Sequence, residues 1–597
     1  MRRSFTAALA AAIGLIALGD PAWSQQTFLN LDLETATRGQ VWNWTAVIAG
    51  YQIAADTSVF HTGAQSLRIA NTGAASGTFG DTGQYLPLGV VAGHNVHLAG
   101  YIKTSGMTRG FAGFWMRVDG PNGVLAFNNM SSFGLRGTTD WQQFAFDLYV
   151  DPSAVDVVLG ALQTGDGTAW FDTVTLDIDG IRYVDSPAPS IGPPSPAQLS
   201  WLQQKANPFL SPDPTGPLDD LWPVSTMVGK AHIVGLGEGT HGTHEFFLMK
   251  HRLLEYLVEN NGFTIFAMEA NMPEADRVNQ YVLTGLGDPA KLLQGLYFWT
   301  WNTQEVLNLI EWIRAYNAAG NGPVQFAGFD MQTASVAIQN VEQFLSEAEP
   351  DYLATASPVY STAQTLNQEY SNGVNLSVGM VQPTLDGVTA VWSHLNQNRA
   401  TYLANFSSHD VDWAIQNALI VVQATTLPIA PSGYYRDQCM AANTDWLLQQ
   451  NPGARMVLWA HDGHIWKDPQ AMGWALAANH GSDYLAIGQI FHSGTYNAIG
   501  PWDGKSYGSL TAWAATPSFQ GTVEYVFHLT GMPWFLLDLR QVAVDDPGSS
   551  WLAAPVQYRM IGAVEEDGFF VSNRLIQDFD VLIFFDQTTP SQLRPFH

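Results

Sequence analysis

Five prolines fall within the twelve residues from Ser186 to Ala197, and the hydrophobic pattern changes in kind across them. Neither a helix nor a central strand can run through such a segment, which behaves as a semi-rigid spacer. Before it, from Phe28 to about Tyr183, short alternating runs such as Ser66-Leu67-Arg68-Ile69-Ala70 and Thr173-Val174-Thr175-Leu176-Asp177 are separated by Gly, Asn and Asp turns. That spacing predicts an all-β sandwich. After Gln198, apolar strands alternate with amphipathic helices, the pattern of a parallel α/β sheet. Between about Thr333 and Gln450 the strands disappear, and Val336 to Glu349 and Asp437 to Gln449 carry helical spacing. The expected architecture is a jelly-roll-like sandwich over 26–185, a linker over 186–197, and an α/β domain over 198–597. The last has a mainly parallel sheet, flanking helices and a helical insertion over about 333–450.

The N-terminus reads as an export signal over 1–24. Arg2 and Arg3 are a basic start, Ala7 to Leu18 an apolar core, and Ala22-Trp23-Ser24 a cleavage site. Arg2-Arg3-Ser4-Phe5 also hints at twin-arginine export. The apolar core is too short to span a bilayer, so the expectation is a secreted or periplasmic protein without a membrane span. Lys and Arg total 25 against 53 Asp and Glu, a formal charge of −28. A polyanion repels phosphate backbones, which argues against nucleic acid as a partner. Cys439 is the only cysteine. It cannot form an intrachain disulfide and reads as buried filler.

Chemistry concentrates at strand ends. Ile233 to Leu236 is an apolar strand, followed by the turn Gly237-Glu-Gly-Thr-His-Gly242 and a helix from Thr243 to Asn260 that Gly262 stops. The next strand, Phe263 to Met268, ends at Glu269; Val324 to Phe329 ends at Asp330; Met456 to Ala460 ends at His461, with His464 just beyond. In one parallel sheet, Glu238, His241, Glu269, Asp330, His461 and His464 converge on the rim where open α/β sheets bind ligands. Three other motifs compete. Gly237-x-Gly239-x-x-Gly242 fits a dinucleotide fingerprint, but Glu238 within it opposes a pyrophosphate. Gly504-Lys-Ser-Tyr-Gly508 matches a serine-hydrolase elbow without a strand leading into it, and reads as a loop. The His and Glu side chains of the rim are also types that ligate zinc or manganese.

The chain resembles the erythromycin esterase family in Leu236-Gly-Glu-Gly-Thr-His-Gly-Thr-His-Glu-Phe-Phe247, Gly262 to Ala270, Thr300-Trp-Asn-Thr-Gln-Glu305 with Trp312-Ile-Arg314, Gly328-Phe-Asp-Met331, Arg436 to Asn443 and Trp459-Ala-His-Asp-Gly-His464. The resemblance covers roughly Pro217 to Pro590. It implies a hydrolase that needs no cofactor and opens a macrolide lactone or related ester by direct attack of water, the activity that underlies macrolide resistance. It also implies His241 as general base, Glu238 and Glu269 as its acidic partners, and His461 and His464 as a second essential pair. Asp330, Arg436, Lys250 and Trp301 are candidate substrate-binding residues. Two positions depart from the family pattern: Asp462, where members have Asn, and Lys250, where they have arginine. In chemical terms, a neutral His oriented by Glu269 can take a proton from water, and a protonated His461 or His464 can stabilise the oxyanion. A divalent-metal hydrolase built on the same cluster is the alternative.

The N-terminal half is similar to carbohydrate-binding jelly rolls in His61-Thr-Gly-Ala-Gln-Ser-Leu-Arg68, Gly137-Thr-Thr-Asp-Trp-Gln142 and Ala169-Trp-Phe-Asp-Thr173. That likeness implies a saccharide ligand stacked on aromatic rings, with Trp42, Trp44, Phe114 and Trp115 as candidates. A non-catalytic saccharide-binding surface protein is accordingly the rival to a secreted ester hydrolase.

Overall fold

The computed structural model describes residues 28–595, apart from 38, 45–49, 74–77, 121–122, 186–191, 431–432, 470, 502–506 and 566–569. The export-signal reading and Gly504 to Ser506 of the elbow-like motif lie outside these residues. Among the described residues no helix is long and apolar enough to cross a membrane.

The first half is the expected sandwich. Its strands are β1 (Tyr51–Asp56), β2 (Ser66–Asn71), β3 (Phe79–Tyr85), β4 (Asn95–Gly120), β5 (Gly123–Asn128), β6 (Leu135–Tyr149), β7 (Asp156–Thr164) and β8 (Thr168–Ile178). The 26-residue β4 serves both layers: residues up to Ser105 pair with β8, and Ala112 onward pairs with β7. Between them Gly106 and Gly110 take φ of +67° and +87°, which lets one strand turn the corner between two sheets. Alternate residues point inward, so Leu67, Ile69, Leu98, Ile102, Phe171 and Leu176 are fully buried. Each contributes about 1.5–3 kcal/mol by leaving water.

That inward packing corrects the list of sugar-stacking candidates. Trp42, Trp44 and Phe114 belong to the core, at 1%, 0% and 1% exposure. The Trp44 indole donates to the carbonyls of Leu29 and Asn30. Only Trp115, one residue along β4 from Phe114, lies on the outer face.

The second half begins at α1 (Pro196–Lys205), slightly before the expected boundary. Ser195 and Gln198 form a reciprocal capping box that starts the helix directly from the proline-rich segment, and Trp201 and Leu202 anchor it in the α/β core. The sheet holds β9 (Ile233–Leu236), β10 (Ile265–Asn271), β11 (Gln325–Asp330), β12 (Met456–Trp459), β13 (Tyr484–Ile499), β14 (Leu510–Ala515), β15 (Trp534–Asp538) and β16 (Val581–Thr588). Its order is β15-β16-β13-β9-β12-β10-β11, parallel from β16 to β11, with β15 antiparallel to β16 and flanked by the two-residue strand Asn207–Pro208, and β14 paired antiparallel to β13. The parallel strands are buried on both faces, hence the continuous apolar runs in sequence. Helix α2 (His244–Asn261) follows β9 and ends at Gly262 in the left-handed region, φ +69°. The insertion is helical as expected: Ser335–Ala348, Pro350–Ser371, Val378–Gln397, Ser408–Thr426 and α3 (Tyr435–Gln450). It is tied to the sheet by Asn443, whose amide donates to the Phe329 carbonyl of β11 at 3.0 Å.

Candidate active site

β9 lies mid-sheet between β12 and β13, and its C-terminal turn carries the first two chemical groups. Three glycines let that turn lie against its neighbours. A Cβ on Gly237 would sit 1.9 Å from Asp462 Oδ1, one on Gly239 2.9 Å from the Gln489 carbonyl, and one on Gly242 2.0 Å from the Asn497 carbonyl. These glycines admit the protein's own atoms, so the dinucleotide reading fails for want of room.

The turn brings Glu238 onto His241 three residues later. Glu238 Oε1 lies 2.8 Å from His241 Nδ1, and its Oε2 accepts from Lys250 Nζ at 2.7 Å. Lys250 also donates to the Ala460 carbonyl at 3.0 Å and sits 4.6 Å from the centre of the Trp459 ring. Burial pulls the Lys250 ammonium below its usual range, and Glu238 opposes that shift. The expected orientation of the base by Glu269 is thus corrected: Glu238 holds it, because an i,i+3 reach within one tight turn is shorter than a reach across the sheet. A carboxylate can only accept, so His241 carries its proton on Nδ1 and leaves Nε2 as the free lone pair. Among the described residues Nε2 has no hydrogen-bond partner, and the ring keeps 11% of its surface exposed.

Glu269 reaches the rim through an irregularity. β10 and β11 pair residue for residue up to Met268 and Gly328, then slip so that Asn271 faces Asp330. The extra residue bends the strand end and re-aims its side chains. Glu269 Oε2 accepts the backbone N–H of His461 at 3.0 Å, and Oε1 accepts from Arg436 Nη2 at 2.6 Å. Burial raises its pKa, but the His464 and Arg436 charges prevail and hold it well below the carboxylate range. Arg436 reaches the site from the first turn of α3 and grips Asp330 at 2.7 and 3.1 Å.

The two distal histidines differ. His461 Nδ1 accepts from Gly463 N–H at 3.1 Å and Nε2 faces the Ile561 carbonyl at 3.0 Å. Both nitrogens are occupied by backbone, and burial together with neighbouring imidazoles keeps the ring neutral. It stands 5.0 Å from His241, ring centre to ring centre. His464 sits between Asp437 Oδ1, 2.8 Å from Nδ1, and Glu269 Oε1, 3.3 Å from Nε2, with Arg436 Nη1 at 3.0 Å. Burial and the Arg436 guanidinium lower its pKa, but the carboxylates of Asp437 and Glu269 outweigh both and raise it to about 10. Of the pair, His464 is the cation.

Asp462 is the acid left over. It is fully buried; Oδ1 accepts from Gln489 N–H at 3.2 Å and Oδ2 has no partner among the described residues. Burial pushes its pKa well above the carboxylate range. A protonated acid has the shape and donor capacity of an amide, which explains how Asp stands here without a cation.

All the residues expected at the site are therefore together, but their positions differ. Lys250 and Asp330, expected as substrate-binding residues, are fully buried behind Glu238 and Arg436, whose side chains they hold. Trp301 is 2% exposed, packs edge-on against His241 at 5.5 Å and donates its indole N–H to the Glu269 carbonyl. Asp437 joins the site through His464, and although it follows Arg436 in sequence nothing there singles it out. The Ile561 carbonyl, a hundred residues from His461, leaves no signal in sequence. Cys439 is buried and its thiol is pushed up to about 12, as filler should be. Most of the nitrogens and carboxylates that could ligate a metal have other partners here. Both His461 nitrogens are bound by backbone and Glu269 is taken by Arg436, and no group of three or more His, Cys, Asp or Glu among the described residues is disposed to hold an ion.

A family model described as erythromycin esterase matches residues 258–588. The chain belongs to the erythromycin esterase family. The match starts inside α2, and the fold adds the Glu238–His241 turn that precedes it. Erythromycin esterase type II of Escherichia coli is 26% identical over 343 residues, covering 52% of this chain and 80% of that protein. A solved Bacillus cereus protein has 27% identity and a TM-score of 0.61 over 67% of this chain and all of its own. A solved structure described as a succinoglycan biosynthesis protein has 27% identity and a TM-score of 0.58 over the same shares. This protein is an ester hydrolase with an erythromycin esterase fold preceded by a β-sandwich.

Proposed function

We propose that this hydrolase cleaves a carboxylic ester or lactone, outside the cytoplasm, by water that His241 activates directly. The observation that carries the reading is the chain Lys250–Glu238–His241, which fixes the His241 tautomer and leaves Nε2 as an acceptor at the open end. Water bound at Nε2 gives up a proton to it as its oxygen bonds to the ester carbon. The imidazolium is stabilised by Glu238, which Lys250 holds in place from its other oxygen. The oxyanion forms beside Arg436 and the His464 cation, the positive groups of the rim. Collapse breaks the carbon–oxygen bond, and the alkoxide takes the proton back from His241. No protein nucleophile and no metal enters the scheme. The relative from Escherichia coli, an erythromycin esterase by name, supports a macrolide lactone as one candidate within that class.

His241→Ala tests the reading: turnover falls about 10² to 10⁴-fold, the contribution of a positioned base. A folded variant with near-native turnover removes His241 from the mechanism.

A further inference from the structure

The two halves of the chain meet next to the chemistry. Tyr85, the last residue of β3, packs edge-on against Tyr434 with ring centres 5.9 Å apart, and the two hydroxyls are hydrogen-bonded. Tyr434 is the residue from which α3 starts, two positions before the active-site Arg436. Tyr85 belongs to an outward sheet face. On β3, Asp81, Gly83 and Tyr85 share that face; they pair with Leu162, Gly160 and Val158 of β7, and the last two pair with Trp115 and Arg117 of β4.

Two glycines shape this face around Trp115. A Cβ on Gly83 would lie 2.7 Å from the edge of the indole, and one on Gly160 2.7 Å from its nitrogen. The ring therefore lies flat across two strands, pinned by its N–H to the Thr82 carbonyl at 3.2 Å. Beside it Tyr85 keeps 55% of its surface exposed and Phe127, opposite Arg117 on β5, keeps 53%. The face offers little charge. The Arg117 guanidinium is satisfied by Asp119 at 2.8 and 3.0 Å, and burial pushes the Asp81 carboxyl up toward its neutral form. A flat ring, a neighbouring phenol and paired charges suit uncharged rings that stack, and the row ends at Tyr434.

We propose that the Trp115–Tyr85 face and the esterase site are consecutive parts of one binding cleft, and that the physiological substrate is an uncharged oligosaccharide chain bearing an ester. Sugar rings flanking the ester lie on Trp115 and Tyr85 while the acyl group sits at His241. This rests on the hydrolytic reading above and adds its substrate class. Tyr85 and Tyr434 are then specificity-determining residues contributed by different halves of the chain.

The test compares full-length protein on partially O-acetylated cellohexaose and on p-nitrophenyl acetate. Tyr85→Ala and Trp115→Ala should each lower the ratio of kcat/KM for the hexaose to that for the small ester about tenfold, mainly through KM, as loss of a central aromatic contact does. Tyr85 is exposed, so its variant keeps the test decisive if the Trp115 variant misfolds. A ratio within twofold of wild type in folded Tyr85→Ala overturns the inference, as does wild-type cleavage of the small ester with none of the hexaose. His241→Ala separates the two levels: full activity of that variant on p-nitrophenyl acetate removes the underlying mechanism instead.

Discussion

Glu238→Gln tests the catalytic geometry with almost no change of shape. In the wild type both partners of Glu238 donate: His241 Nδ1–H to Oε1 and Lys250 Nζ to Oε2. A glutamine presents one acceptor and one donor, so one partner must change role. Lys250 is held as a donor by a second bond, to the Ala460 carbonyl. The amide oxygen therefore faces Lys250 and the amide NH2 faces His241. Nδ1 must then accept, the proton moves to Nε2, and the free lone pair that removes a proton from water is gone. The same substitution of a carboxylate behind a catalytic histidine in a serine-protease triad lowers kcat about 10⁴-fold through the wrong tautomer. Loss of charge acts in the same direction: a unit charge about 4 Å from an imidazolium is worth about 4 kcal/mol at an effective dielectric of 20. The expected loss is about 10³ to 10⁴-fold in kcat with KM little changed, measured by steady-state hydrolysis of p-nitrophenyl acetate. Adding Lys250→Met frees the amide to flip, so the double variant should be more active than Glu238→Gln alone. A folded Glu238→Gln enzyme within tenfold of wild type, or a double variant no better than the single, refutes the tautomer reasoning.

Exhaustive chelation followed by activity assay should leave turnover unchanged; loss restored by zinc or manganese would reinstate a metal-bound hydroxide. His464 has a folded pKa of about 10 against an ordinary 6.5, so its contribution to stability is complete below pH 6.5 and lost as pH rises through 10. Thermal unfolding should show Tm declining over that window in wild type and much less in His464→Gln. Glu274 is 2% exposed, has Oε2 unpartnered among the described residues, and has its pKa raised to about 7 by burial. The folded state then holds a proton that the unfolded state releases above pH 4.5, so Glu274→Gln should raise Tm at pH 8 and give no gain near pH 4. Cys439→Ala should leave kcat within about twofold, and the native thiol should resist alkylation until the protein unfolds.

Much of this site is legible in the sequence because its residues end strands. A parallel strand buried on both faces is an unbroken apolar run, and the first ionisable residue after it marks the rim. Glu269, Asp330 and His461 are all found that way, and Glu238 and His241 follow from the glycine turn. The pairing is not legible. Which acid holds His241 depends on a three-residue turn against a register slip between β10 and β11, and a slip leaves no mark in the alternation of buried residues. The aromatic residues of the sandwich fail for a related reason. Phe114 and Trp115 are neighbours on β4, where facing is a period-two property and only Trp115 falls on the outer phase, while Trp42 and Trp44 lie outside the strands and fold into the core from a turn.

Charge pairing explains why the rim carries so many ionisable groups without losing the fold. Glu238 has Lys250, Glu269 and Asp330 share Arg436, and Asp437 has His464. Breaking one partner from such a buried pair costs about 3–5 kcal/mol, because the other charge is left stranded. Asp462 has no cation of its own and is the acid that burial drives toward neutrality. His241 is the exception among the bases: its single acidic partner is already shared with Lys250, and its second nitrogen is left open. A ring with one nitrogen held by an acid and the other left open among the described residues is where a proton from outside the protein can be received. That asymmetry between His241 and the fully engaged His461, 5.0 Å away, is the geometric ground for proposing His241 as the base, a choice that residue type alone does not make.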